Sequence, residues 1–129
     1  MTEKAVVRTE LAPAPFQGAP YSQAIRAGDL VFVSGQLALA PGSHEMVADT
    51  IEEQTEQVFR NLRAILEEAG SSLERIVKTT VYLTDLANAQ GMNEVYRTHV
   101  GENSPARATL EVSALPSGAL VEIEAVALA

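Results

Sequence analysis

The sequence predicts an α+β domain in which a mixed β-sheet carries two helices on one face. Three observations support this class. Two amphipathic helices are separated by a β-branched strand, apolar strands precede and follow them, and the pattern offers no third helix. A chain of 129 residues fits a single domain over residues 1–129, which is large enough to bury about two thirds of the surface that the unfolded chain exposes.

The first strands precede residue 40. The segment KAVVRTE, residues 4–10, predicts a short edge strand, and the proline-rich residues 11–24 predict an extended loop with turns. Residues 24–39 predict two strands joined at Gly28 and Asp29, because two apolar runs flank this turn pair.

The clearest helix begins at Thr50 and ends at Gly70. Thr50 and Glu53 have the spacing of a capping box, in which the threonine side chain caps the first turn of a helix. Gly70 favours the left-handed backbone that commonly ends a helix. The side chains predicted to face the core are Ile51, Thr55, Val58, Leu62, Ile65, Leu66 and Ala69.

The second half alternates strand, helix and strands. Residues 75–85, RIVKTTVYLTD, predict a β-branched strand, and a second helix begins at Asp85 or Asn88 and ends at Gly101. Two final strands flank a turn at Ser117 and Gly118. The residues predicted to share one face of the second helix are Met92, Val95, Tyr96 and His99.

Two helices cover only one face of such a sheet. The strands VFVSGQLAL and LVEIEAVALA offer apolar side chains on both of their sides. An uncovered apolar sheet face is commonly buried against another protein surface. We therefore expect an oligomer that forms through this face.

Composition excludes several classes of function. The net charge is −8, which disfavours nucleic acid as a partner because a phosphate backbone would be repelled. The chain contains no cysteine, so disulfides and thiolate chemistry are excluded. The start MTEKAVVRTE has no apolar signal core, and no stretch approaches the roughly 20 apolar residues of a membrane span. We expect a cytoplasmic protein without a membrane partner.

Familiar catalytic motifs are also missing. His44 and His99 are far apart and have no ligand partners at metal-binding spacing, so a metal site is not predicted. The sequence contains no G-x-S-x-G elbow, phosphate loop or dinucleotide fingerprint.

Three charged residues stand inside the final strands. Glu122 and Glu124 share one strand face because the side-chain period of a strand is two. In the simpler interpretation these glutamates and Arg107 form surface ion pairs. In the functional one, the planar fork of Arg107 holds a substrate carboxylate beside a carboxylate that moves protons. If the final strands formed a simple hairpin, Arg107 and Glu122 would lie ~20 Å apart and meet most easily across a subunit boundary.

Six stretches of the chain carry a family resemblance. In order they are APYSQAI, LVFVSGQLAL, ERIVKTTVYLTDL, MNEVY, PARATLEV and VEIEAVA. Each is weak alone, and together they are highly specific. Along nearly its full length, the chain resembles the YjgF/RidA family of reactive enamine/imine deaminases.

This resemblance implies a fold and an activity. The fold is of the chorismate-mutase-like type, with three subunits packing their sheets into a central barrel and a cleft at each subunit interface. The activity is hydrolysis of 2-aminoacrylate-type enamines, or their 2-imino acid tautomers, to 2-keto acids and ammonia without metal or cofactor. The implied partners are a small imino or keto acid and two further copies of the chain.

The resemblance also implies site residues. Arg107 matches the arginine that holds the substrate carboxylate, and Glu122 is the candidate that positions or activates water. The other predicted substrate-binding residues are Tyr21, Ser34, Gly35, Asn93 and Thr109. We expect Glu124 to be structural.

Two departures from the family pattern leave the substrate open. Thr109 stands where many relatives carry cysteine, and the segment before Arg107 is shorter than in familiar members, with Ser104 in place of a bulky residue. Deamination of 3-aminoacrylate or an aminomuconate, non-catalytic sensing of a small carboxylate, and the ribonuclease activity ascribed to some relatives are the alternatives. The acidic charge disfavours the last of these.

Overall fold

Six strands and two helices make up the fold, and a computed structural model describes residues 3–129 of the chain. The helices are α1 (Ile51–Glu68) and α2 (Ala89–Val100). The strands are β1 (Lys4–Val7), β2 (Ala24–Ala27), β3 (Leu30–Gln36), β4 (Ile76–Leu83), β5 (Ala106–Glu111) and β6 (Val121–Leu128).

The strands form one mixed sheet in the order β1-β2-β3-β6-β4-β5. β4 and β5 are parallel, since α2 connects them, and every other neighbouring pair is antiparallel. The predicted α+β class is confirmed. The simple hairpin of the last two strands is wrong, because β4 lies between β5 and β6 and pairs with both of them.

Helix α1 begins where its cap predicts. The Thr50 hydroxyl accepts a hydrogen bond from the Glu53 backbone N–H at 3.2 Å, and Gly70 follows the helix with a φ of +81°. Six of the seven side chains predicted to face the core are buried within α1, and the seventh, Ala69, is buried at its C-cap. Their burial packs α1 against the sheet, together with the partly buried face of α2.

The core lies between the two helices and one face of the sheet. In β6 the side chains of Val121, Ile123, Ala125 and Ala127 are buried, and the residues between them point to the other side. Because successive strand residues alternate between faces, Glu122 and Glu124 lie on the sheet face that carries no helix.

The helix-free face is apolar as well as exposed. Phe32 and Leu128, on neighbouring strands β3 and β6, are 46% and 42% exposed. Neither α1 nor α2, the helices found within residues 3–129, combines the length and apolar character needed to cross a bilayer.

Candidate active site

Arg107 is held at the edge of the sheet by helix α2. Its Nη1 donates a hydrogen bond to Asn93 Oδ1 at 2.7 Å, and the centre of its guanidinium lies 4.9 Å from the centroid of the Tyr96 ring. A cavity of about 250 Å³ opens beside the guanidinium. Its lining residues are Asn93, Tyr96, Arg97, Ser104, Pro105 and Arg107.

The strand register explains this placement. Arg107 pairs with Thr79 of β4, whose side chain is buried among the core residues beneath the helices. Paired residues of neighbouring strands point to the same face, so Arg107 points toward α2. Thr109 lies two residues further along β5 and shares that face. Asn93 and Tyr96 are three residues apart and thus adjacent on the helix surface.

Glu122 lies on the opposite face, against Gly35 of β3. A Cβ atom at residue 35 would come within 2.6 Å of Glu122 Oε2, so a larger residue there would require this carboxylate to move. The structure therefore brings Glu122 and Gly35, two of the predicted site residues, into direct proximity.

Tyr21 and Ser34 line a second cavity, and Ser34 directly precedes Gly35 in β3. The Ser34 hydroxyl donates a hydrogen bond to the Ser22 carbonyl at 2.6 Å, which ties the loop carrying Tyr21 to β3. The Tyr21 hydroxyl accepts a hydrogen bond from the Phe16 N–H at 2.7 Å, and its side chain is 44% exposed. Both residues line a cavity of about 400 Å³ on the helix-free side.

The environment of Glu122 favours its protonated form. Burial raises the pKa of Glu122 above the usual carboxyl range, and the neighbouring charge of Glu124 raises it further. Glu124 itself accepts a hydrogen bond from the Tyr82 hydroxyl, and this bond is the main cause of a raised pKa at Tyr82. A carboxyl group with a raised pKa is suited to exchange protons nearer to neutral pH.

The predicted residues thus form two clusters. The arginine cluster is Arg107 with Asn93. The glutamate cluster is Glu122 with Gly35, which lies against it, and the adjacent residue Ser34, which shares a cavity with Tyr21. Arg107 and Glu122 pair with Thr79 and Tyr82 of β4, which puts them ~10 Å apart along the strands and ~10 Å across them. They also point to opposite faces, so the two clusters do not share one cleft within a single chain.

The comparison with known families covers nearly the whole chain. A family model described as endoribonuclease L-PSP, which represents the YjgF/RidA family, matches residues 10–129. The chain belongs to the YjgF/RidA family. The resemblance predicted from its sequence stretches is confirmed.

Two relatives within the YjgF/RidA family and one solved structure are similar over most of both chains. The RutC family protein PYRAB12510 of Pyrococcus abyssi is 52% identical over 124 residues, which are 96% of each chain. The 2-iminobutanoate/2-iminopropanoate deaminase of Mus musculus is 42% identical over 95% of this chain and 90% of its own. A crystal structure of E. coli TdcF with bound serine is 35% identical, with a TM-score of 0.88 over 97% of this chain and 98% of that one.

Both histidines of this YjgF/RidA chain have structural contacts. His99 Nε2 lies 2.9 Å from Glu56 Oε1, and this hydrogen bond is the main cause of a lowered pKa at Glu56. His44 Nε2 lies 2.9 Å from the Ala14 carbonyl oxygen. In the part of the chain that the structure describes, no three His, Asp or Glu side chains are grouped as metal ligands.

The sequence does not predict Tyr96, which lines the cavity, or Thr79, which bonds to the Tyr96 hydroxyl, as site residues. The motif MNEVY indicates Asn93, and helical spacing places Tyr96 on the core face of its helix. The signal was available in the spacing, because residues three apart on a helix lie side by side. Thr79 gave no such signal, since its role depends on a contact between β4 and α2.

Proposed function

We propose that this protein hydrolyses 2-aminoacrylate-type enamines, through their 2-imino acid tautomers, to 2-keto acids and ammonia. One water molecule adds to the imine carbon, and the C–N bond of the resulting carbinolamine breaks to release ammonia. The name of the mouse relative supports this reaction, and the serine bound to TdcF supports a small substrate with a carboxylate.

The observation that carries the proposal is the arrangement of Arg107. Its guanidinium is oriented by Asn93 and Tyr96 and faces an open cavity. Arg107 Nη1 donates one hydrogen bond to Asn93, and the other N–H groups of the guanidinium are available for a bidentate bond to a carboxylate. Every 2-imino acid carries this carboxylate next to its reacting carbon.

The remaining chemistry needs a proton acceptor and a proton donor. A protonated imine is already an electrophile, so water needs orientation and removal of its proton. The carboxylate of Glu122 takes that proton and, as the acid, returns it to the departing nitrogen. Gly35 lies directly against this carboxylate, and we assign its backbone N–H a supporting role in binding the substrate.

We propose that each complete site lies between two copies of the chain. Arg107 and Glu122 are on opposite sheet faces of one copy, and a substrate of a few atoms cannot contact both. The exposed apolar residues of the helix-free face, including Phe32 and Leu128, favour association through that face. A closed ring of three copies brings the arginine cluster of one copy to the glutamate cluster of the next.

The assembly gives a testable prediction. We expect light scattering at micromolar concentration to give the mass of three chains, about 41 kDa from a chain mass of 13.7 kDa. Replacing Phe32 with Glu places a charge on the apolar face, and this variant should dissociate and lose activity together. The matched substitution Leu11→Glu, at a residue that is 74% exposed, should do neither. A stable monomer of the wild type would contradict the shared site.

The activity is tested with substrate made in the reaction vessel. A threonine dehydratase acting on serine or threonine releases the enamine, and keto acid formation is followed with and without this protein. We expect faster keto acid formation with it. Keto acid binding without any acceleration would instead identify a non-catalytic sensor of small carboxylates.

RNA is not part of this proposal, although the matching family model carries the name of an endoribonuclease. The net charge of −8 disfavours contact with a phosphate backbone.

A further inference from the structure

The guanidinium of Arg107 rests on an aromatic ring that is itself fixed on several sides. Tyr96 is 5% exposed, and its ring meets Phe59 of α1 edge to face, with the centroids 5.3 Å apart. Phe59 is fully buried. The ring under Arg107 is therefore part of the core and not a mobile surface side chain.

A hydrogen bond fixes the far end of the same ring. The hydroxyl groups of Tyr96 and Thr79 lie 2.7 Å apart, and the Thr79 side chain is fully buried. Thr79 is also the residue of β4 that pairs with Arg107. Thr79 thus pairs with Arg107 in the sheet and also holds the ring beneath the Arg107 guanidinium.

We propose that Tyr96, anchored by Thr79, is a positioning residue that fixes the guanidinium plane of Arg107 for carboxylate binding. Cation–π attraction holds the guanidinium over the ring, and the bond to Asn93 sets its rotation within that plane. A bidentate bond requires that both the plane of the guanidinium and its rotation within that plane are fixed, because two parallel N–H groups must reach two oxygens. This proposal rests on the function proposed above.

Three substitutions distinguish the effect of the Tyr96 ring from the effect of its hydrogen bond to Thr79. Tyr96→Leu removes the ring, Tyr96→Phe removes only its hydroxyl, and Thr79→Val removes the partner hydroxyl at nearly constant volume. We expect Tyr96→Leu to weaken pyruvate binding by about three- to thirtyfold, the range of a cation–π contact. Tyr96→Phe and Thr79→Val should each weaken it by about two- to fivefold, and the double variant should be no worse than either alone.

The matched control is Thr55→Val. Thr55 is also fully buried, and its hydroxyl donates to the Ile51 carbonyl at 2.7 Å within α1. This variant loses one buried hydroxyl bond away from Arg107, so it should lose stability without losing pyruvate affinity. In steady-state kinetics, the Tyr96 and Thr79 variants should raise KM more than they lower kcat, because they disturb carboxylate binding.

A second measurement does not depend on the substrate. Relaxation of the Arg107 side-chain Nε–H in the intact protein reports how firmly the guanidinium is held. We expect it to be rigid in the wild type and Thr55→Val, and more mobile in Tyr96→Phe and Thr79→Val. If wild type binds no keto acid, the proposed function fails, and this measurement still tests the positioning.

Unchanged pyruvate affinity and unchanged Arg107 mobility in both Tyr96→Phe and Thr79→Val would overturn the proposal. Those two variants decide it even if Tyr96→Leu fails to fold, because each keeps the packing of the core. The proposal would also be overturned if Thr55→Val lost as much pyruvate affinity as Tyr96→Phe and Thr79→Val, since the losses would then reflect stability alone.

Discussion

Arg107→Lys is expected to lower carboxylate affinity and kcat/KM by about ten- to a hundredfold. The lysine keeps the positive charge but loses the planar fork, so the two-point bond to a carboxylate is replaced by a single ammonium contact. A charge-assisted hydrogen bond contributes ~1.5–3 kcal/mol, which sets this range. Pyruvate affinity by calorimetry and keto acid formation in the coupled assay measure the two effects.

The control for this substitution is Arg97→Lys. Arg97 lines the same cavity on α2, so the change tests whether any arginine there is sufficient. We expect activity near that of the wild type, because the charge is kept and the bond to Asn93 belongs to Arg107. Near wild-type turnover of Arg107→Lys would show that the planar fork of Arg107 does not bind the substrate carboxylate.

Glu122→Gln is expected to separate binding from catalysis. The amide has nearly the same shape, so the fold and the assembly should survive, and Arg107 should still bind pyruvate. General acid–base catalysis contributes about 10²–10⁴-fold, and turnover should fall within or somewhat below this range, because imines also hydrolyse unaided. Unchanged hydrolysis in this variant would remove Glu122 from the mechanism.

The pH dependence of activity in the wild type and in two glutamate variants tests the same role of Glu122. The carboxylate form of Glu122 accepts the proton of water, so activity should fall as the pH drops through its raised pKa. The negative charge of Glu124 is one cause of the raised pKa of Glu122. Glu124→Gln removes this charge, so the acidic limb of the activity profile should move to lower pH in that variant. Glu122→Gln should lose this limb altogether. An identical limb in all three proteins would assign it to another group.

Local sequence signals were sufficient for the helices and the first strands. Thr50 and Gly70 mark the ends of α1 because capping depends on residues only a few positions apart. The order of the last strands did not follow from such signals. A plausible turn stands between β5 and β6 in the sequence, and only the long-range pairing of β4 with both strands shows that β4 lies between them.

The site could be predicted as a set of residues but not as a geometry. Arg107, Asn93 and Glu122 followed from the family stretches, and the structure places Asn93 against Arg107. The sequence could not show that Arg107 and Glu122 point to opposite faces, since this depends on the register of strands distant in sequence. The position of Tyr96 beside Asn93 does follow from helix spacing, but its contact with the Arg107 guanidinium depends on the packing of β5 against α2.

Each active site is proposed to combine Arg107 of one copy with Glu122 of another. Co-expression of Arg107→Lys and Glu122→Gln chains, carrying different affinity tags, yields mixed trimers that can be isolated through both tags. In a cyclic trimer every interface is the same contact. One interface of each mixed trimer then pairs an intact Arg107 with an intact Glu122.

The coupled assay on these mixed trimers gives the decisive number. In any trimer that contains both chains, one interface of three has both residues intact, so we expect about a third of wild-type turnover. Each variant alone should stay far below that level. If both residues acted from the same copy, no site in the mixture would be intact, and turnover no higher than that of the two variants would contradict the shared site.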